Sequence, residues 1–106
     1  MKKITIYMID GTPEGAKTYE IGNLSGKAIS SPRSNAKSVL ERDDIKSSGI
    51  YILRSTEGSW DYDDAIYIGE AELLGVRLKQ HISGDKDFDS FICIHYKDDM
   101  LTKAHI

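Results

Sequence analysis

The sequence predicts an α+β domain, and three stretches carry that prediction. Gly49-Ile50-Tyr51-Ile52-Leu53 and Ala65-Ile66-Tyr67-Ile68-Gly69 are short apolar runs, and the segment between them, Arg54 to Asp64, is rich in Ser, Gly and Asp. Two β-prone runs joined by a polar connector read as a hairpin. Glu70 to Ile82 then reads as a helix: at about 100° per residue, Ala71, Leu74, Gly75, Leu78 and Ile82 share one apolar stripe. Arg77 and His81, four apart, stack on the shoulder of that stripe, at the edge of a helix–sheet contact. Glu70 and Glu72 fall in the expected first turn, where the helix dipole favours negative charge. Gly84 punctuates the end, and Phe91 to Tyr96 is a third strand.

The rest of the chain is read in order. Lys3 to Ile9 alternates as a strand, and Asp10-Gly11-Thr12-Pro13 is the turn that ends it. Glu14 to Ile21 fits either a helical turn or a second strand, and Gly22 to Gly26 is loop. Lys27 to Ser30 is a short strand that Ser31-Pro32 stops. Ser34 or Asn35 is an N-cap for a helix to about Arg42, with Ala36, Val39 and Leu40 at helical spacing. Asp43 to Ser48 is a charged connector. Beyond the third strand, Lys97-Asp98-Asp99 is a turn and Leu101 to Ile106 begins another helix. So short a helix does not stand alone, and the chain reads as a fragment of a longer protein. The expected organisation is an N-terminal extension over residues 1–47, packed on or linked to a core over 48–106.

At 106 residues the length is that of one domain. No apolar run approaches the ~20 residues of a membrane span, and no signal peptide opens the chain, so the cytoplasm is the expected location without a membrane partner. A single cysteine, Cys93, excludes an internal disulfide framework and a Cys-rich zinc site. It sits in Phe91-Ile92-Cys93-Ile94 and reads as a buried thiol. The net charge of −3 divides unevenly. Residues 1–50 hold eight Lys/Arg against six Asp/Glu, and residues 51–106 hold six against eleven. The total counts against a nucleic-acid partner, though a local groove can be positive on an acidic protein.

The triplets Gly49-Ile50-Tyr51 and Tyr67-Ile68-Gly69, with Arg77 ten positions after Tyr67 and His81 one turn further, resemble the GIY-YIG nuclease superfamily. The resemblance covers about residues 48–106. It implies a small three-stranded antiparallel sheet flanked by helices and metal-dependent hydrolysis of a phosphodiester bond, with DNA as the expected partner. Arg77 matches the residue that clamps non-bridging phosphate oxygens. Tyr51 matches the residue that takes the proton of the attacking water, and Tyr67 the one that orients water and phosphate. A free phenol has a pKa of ~10, so Tyr51 needs an assisting neighbour to act as a base. His81 matches a phosphate-contacting or proton-shuttling position, and an unperturbed imidazole pKa of ~6.5 suits either job. Gly49 and Gly69 belong to the substrate-binding backbone; Gly69 is expected to turn the chain from strand to helix and leave room for a phosphate. Arg33 and Arg42 extend the candidate phosphate-binding surface into the N-terminal half.

The resemblance also implies one magnesium or manganese ion, held by a Glu expected beyond Ile106, so no metal ligand is assigned within the chain and the fragment alone is expected to be inactive. Glu70 departs from the pattern, because an acid directly after the second triplet repels a phosphate unless it is turned away. The alternative is a non-catalytic nucleic-acid- or protein-binding module that keeps the fold. His95 and His105 lack partners at metal-ligand spacing and read as structural or exposed. The acidic run Asp61-Tyr62-Asp63-Asp64 reads as a solvated turn. Asp85, Asp87 and Asp89 lack the Gly and Glu of a calcium loop.

Overall fold

The structure is a computed structural model that describes residues 3–21, 26–55, 65–84 and 87–96. Six strands appear among them: β1 (Ile4–Met8), β2 (Lys17–Ile21), β3 (Gly26–Pro32), β4 (Gly49–Ser55), β5 (Ala65–Ala71) and β6 (Ser90–Tyr96). Two helices accompany them, α1 (Ala36–Leu40) and α2 (Leu74–Ser83), with single 3-10 turns at Arg33–Asn35 and Asp44–Lys46. The class is α+β. The sheet is larger than the three strands expected: all six form one antiparallel-paired sheet in the order β1-β2-β3-β6-β4-β5. Strands from the N-terminal half complete it, because β3 pairs with β6 along its whole length, from Gly26↔Tyr96 to Pro32↔Ser90. The expected connector over 56–64 with its acidic run, most of the loop after Ile21, Asp85, and the expected turn and helix after Tyr96 with His105 lie outside the described residues.

Local chemistry accounts for the elements. The stretch expected to be helix or strand after Glu14 is strand from Lys17, paired with β1 through Met8↔Lys17 to Ile4↔Ile21. Asp10 pins the intervening turn: its Oδ2 accepts from the Ala16 N–H at 2.8 Å and from Asn35 Nδ2 at 2.7 Å. Asn35 is therefore spent on Asp10 and makes no cap bond to α1, and the helix is correspondingly short. Tertiary burial of Ala36 and Val39 holds it instead. Pro32 is the last residue of β3 rather than a residue beyond it, at a position where its missing N–H costs least.

α2 begins at Leu74, four residues after the expected start. Glu70 and Ala71 remain in β5, paired with Ile50 and Gly49, so ladder hydrogen bonds outweigh the helical pattern there. Leu73 offers no side-chain cap, and the Leu74 N–H donates to the Ser47 carbonyl at 3.0 Å. The strands on either side of β4 both run antiparallel to it, so α2 carries the chain from β5 across β4 to β6. This crossover lays α2 on the middle of β4.

Between sheet and helices lies one core that includes Tyr51, Leu53, Phe91, Cys93, Ile29, Val39, Ile45, Leu74 and Leu78. The β4 alternation sends Gly49, Tyr51 and Leu53 into it and Ile50, Ile52 and Arg54 to the opposite face. That opposite face carries exposed Ile66, Ile68 and Ile92 alongside Ile4, Ile6 and Met8. No helix among the described residues is long and apolar enough to cross a membrane.

Candidate active site

Tyr51 stands where β4 passes under α2. Its side chain is 1% exposed, yet its hydroxyl meets a polar partner: His81 Nε2 lies 3.0 Å from Tyr51 Oη. The helical repeat brings this about, because Leu74 and Leu78 anchor α2 on the sheet and His81 falls just beside that line. β5 supplies the third ring. Tyr67 packs 6.1 Å from the Tyr51 ring and 5.6 Å from His81, and the Tyr51 and His81 rings are 5.2 Å apart, centroid to centroid. Tyr67 is 43% exposed, so the cluster has a buried side at Tyr51 and an open side at Tyr67.

Gly69 makes the arrangement possible, by a different route from the one expected. It lies inside β5, opposite Tyr51, and is no strand-to-helix turn. A Cβ there would overlap Tyr51 Oη and lie 2.5 Å from Cζ, so the space a side chain would take is filled by the Tyr51 ring. Gly49 permits an equally close approach at the other end, where a Cβ would overlap the Ile94 carbonyl oxygen and lie 2.9 Å from Leu74 Cδ1. Register also settles the orientation of Glu70. It pairs with Ile50, so it belongs to the face opposite Tyr51 and Tyr67.

Electrostatics at the cluster oppose one another. Burial pushes the Tyr51 phenol up from its ordinary value, and hydrogen bonding with Tyr67 adds to that. The Arg77 guanidinium, exposed on α2, faces the same hydroxyl and pulls the other way. The net direction is up, so the resting phenol is protonated. A phenol has one donor and two acceptor sites, and His81, Tyr67 and Arg77 match that number. Which partner takes the proton follows from the His81 tautomer.

The two remaining candidates are engaged elsewhere in the protein. Arg33 donates from Nη2 to the Ile82 carbonyl at 2.7 Å and from Nη1 to the Phe88 carbonyl at 3.2 Å. Its Cζ also sits 4.2 Å above the Phe88 ring. Arg42 grips Asp44, with Nη2–Oδ2 at 2.9 Å and Nε–Oδ1 at 3.1 Å. Lys27 joins from β3 at 3.3 Å. Burial raises the Asp44 carboxyl, but the hydrogen bonds from Arg42 and Lys27 outweigh it and hold the group below its usual value. Neither arginine is among the side chains brought together around Tyr51.

Asp10, which holds the turn before β2 through Ala16 and Asn35, and Asp44, which holds Arg42 and Lys27, are not singled out by any motif in the sequence. Cys93, paired with Tyr51 across the sheet, is fully buried, and that burial pushes its thiol up to about 12. His95 is buried on the core face of β6. Among the described residues, no group of three His, Cys, Asp or Glu side chains is placed to hold a metal ion. Comparison with known protein families, with curated proteins and with solved structures finds no match.

Proposed function

We propose that this protein is a GIY-YIG-type endonuclease that hydrolyses phosphodiester bonds in DNA, with Tyr51, His81, Tyr67 and Arg77 as its protein-side machinery. The observation that carries the reading is the 3.0 Å contact between Tyr51 Oη and His81 Nε2, across thirty residues of sequence, with Arg77 beside the same hydroxyl. A protonated phenol is a base only if its own proton can leave. His81 in the tautomer with a bare Nε2 accepts that proton while Tyr51 Oη takes one from the attacking water. The water oxygen forms the new P–O bond, the bond to the leaving sugar oxygen breaks, and that oxygen takes its proton from solvent. Arg77, already at the open side, turns to two non-bridging oxygens, where charge builds in the transition state. Its departure frees an acceptor site on Tyr51 Oη for the water. Tyr67 borders the same opening and orients that water.

The magnesium or manganese ion belongs to the proposal through the resemblance, and the described residues form no site for it, so no step above depends on it. Glu70 does not oppose a phosphate beside Tyr51, because it is turned to the other face of the sheet.

The test is nicking of supercoiled plasmid by full-length protein with magnesium or manganese, alongside DNA binding as a function of salt. The expected result is metal-dependent nicking and a salt slope of several phosphates that is shallower by about one for Arg77→Ala. Intact plasmid under all conditions, with no effect of Arg77→Ala on binding, would overturn the proposal. One observation favours a non-catalytic binding module: the Tyr51 phenol is shifted up, away from the anionic form. Salt-dependent DNA binding without any nicking would support that module.

A further inference from the structure

Taking Leu74 as zero and about 100° per residue, Leu78 joins it against the sheet and Arg77 and His81 fall on one flank of α2. Ile82, Gly75 and Lys79 fall on the other, with Val76 next to Lys79 on the outward side. That second flank is one wall of a groove of about 880 Å³, and α1 with the Asp44–Lys46 turn supplies the opposite wall. Leu40, Ile45, Leu73, Val76 and Ile82 make the floor apolar. Leu73 and Val76 are 53% and 54% exposed, a high value for side chains that bring no polar group of their own.

The rim of the groove is cationic. Lys37, Lys46 and Lys79 are exposed lining residues, and Glu41 is the one carboxylate among the described lining residues. Lys46 meets Asp43 at 3.0 Å, but both side chains are solvent-exposed and such a pair restrains little. Arg33, turned to the Ile82 and Phe88 carbonyls, adds its charge to the same wall.

We propose that this groove docks an acidic amphipathic helix of a partner protein. The apolar edge of the helix lies on Leu40, Leu73 and Val76, and its carboxylates reach Lys37, Lys46 and Lys79. Helix-in-groove recognition reads apolar anchors at i, i+3 or i+4, and i+7, which an apolar floor with a charged rim suits. A nucleic-acid backbone gains from the lysines and nothing from the floor, which decides between the two occupants. The groove lies on the flank of α2 away from His81, so the proposal stands independently of the nuclease reading.

The test begins with selection of a helical peptide library on the protein, with counter-selection on the Val76→Glu/Lys79→Glu double variant. Both side chains are exposed, so the variant should fold, and a matching thermal melt checks this. The expected result is enrichment of acidic peptides with Leu, Ile or Phe at helical spacing. Titrated by fluorescence anisotropy, the best of them should bind the double variant at least tenfold more weakly and Lys79→Arg within twofold. Its amide shifts should centre on Leu73, Val76 and Lys79. Should the double variant fail to fold, Lys79→Ala alone should weaken binding about threefold.

Three results would overturn the proposal. One is that no peptide distinguishes the wild type from the variant. Another is that the shifts fall on the Ile66–Ile68 face of the sheet. The third is that a 20-base-pair DNA duplex displaces the peptide and itself loses tenfold in the same variant, which would make the groove a nucleic-acid surface.

Discussion

Replacing Gly69 by alanine puts a methyl group where the Tyr51 ring is. The new Cβ would overlap Oη and lie 2.5 Å from Cζ and 2.9 Å from Cε1, all closer than real Cβ contacts. The ring cannot easily yield: Tyr51 is 1% exposed and its hydroxyl is held by His81. Relief comes from parting β4 and β5 or from tilting the ring, and overpacking of this kind costs about 1–3 kcal/mol. Without the ring the same change would stabilise an extended strand by about 0.5–1 kcal/mol. In a domain of this size, 1–3 kcal/mol lowers Tm by roughly 5–20 °C. The assay is thermal and urea unfolding of Gly69→Ala in wild-type and Tyr51→Ala backgrounds, a double-mutant cycle. The cost should appear in the first background and vanish or change sign in the second. An equal cost in both, or none in either, would refute the claim that Gly69 exists to admit the Tyr51 ring.

Arg33→Ala should destabilise the fold by about 2 kcal/mol, since it deletes two charged hydrogen bonds and a cation–π contact on a partly exposed side chain. Urea denaturation reads this, and a variant as stable as wild type that instead loses DNA affinity would return Arg33 to a phosphate-contacting role. Cys93 predicts an alkaline loss of stability. Its thiol ionises at about 12 in the fold against an ordinary 9.0 when unfolded. The unfolded state therefore sheds the proton first, and stability present below pH 9 is lost as pH rises toward 12. Between pH 9 and 10 the loss is about 1 kcal/mol, on a limiting slope of about 1.4 per pH unit. Cys93→Ala should show a correspondingly flatter profile, with Tyr51 contributing the same sign only above pH 10. Asp10 works at the acid end. Hydrogen bonds from Asn35, the Ala16 N–H and Ser38 hold its carboxyl below 3.8. Its contribution is present above that value and lost as pH falls through the lowered one. Acid titration of Asp10→Ala by circular dichroism should lack that component.

The elements legible in the sequence were those whose pattern is local. The β4–β5 hairpin and β6 announce themselves because short apolar runs bounded by polar turns have few alternatives. β1 and β3 are legible as strands too, but their place in the same sheet is not, because β3 meets β6 across some sixty residues and neither strand names its partner. Lys17–Ile21 fits helix or strand by its local pattern, since only Tyr19 and Ile21 are apolar, and what makes it a strand is pairing with β1 on one side and β3 on the other. The start of α2 was misplaced because Glu70 and Ala71 fit a helix alone but are claimed by ladder partners on β4. At the candidate site, the periodicity of α2 was enough to put Arg77 and His81 on one shoulder. The tethering of Arg33 was hidden, because its partners are backbone carbonyls of Ile82 and Phe88, which no side-chain pattern betrays. Arg42 was closer to legible, two residues before the Asp44 it grips.

The central claim is that Tyr51 Oη accepts a proton from the attacking water. Tyr51→Phe keeps the ring that fills the space beside Gly69 and deletes the oxygen that His81 Nε2 meets. Plasmid nicking and plasmid binding by the full-length Tyr51→Phe protein, beside wild type and with manganese, test the claim directly. The account predicts wild-type nicking that falls about 10²–10⁴-fold in the variant, with DNA affinity within threefold and Tm within a few degrees. Nicking by Tyr51→Phe at the wild-type rate, or none by either protein, would contradict it.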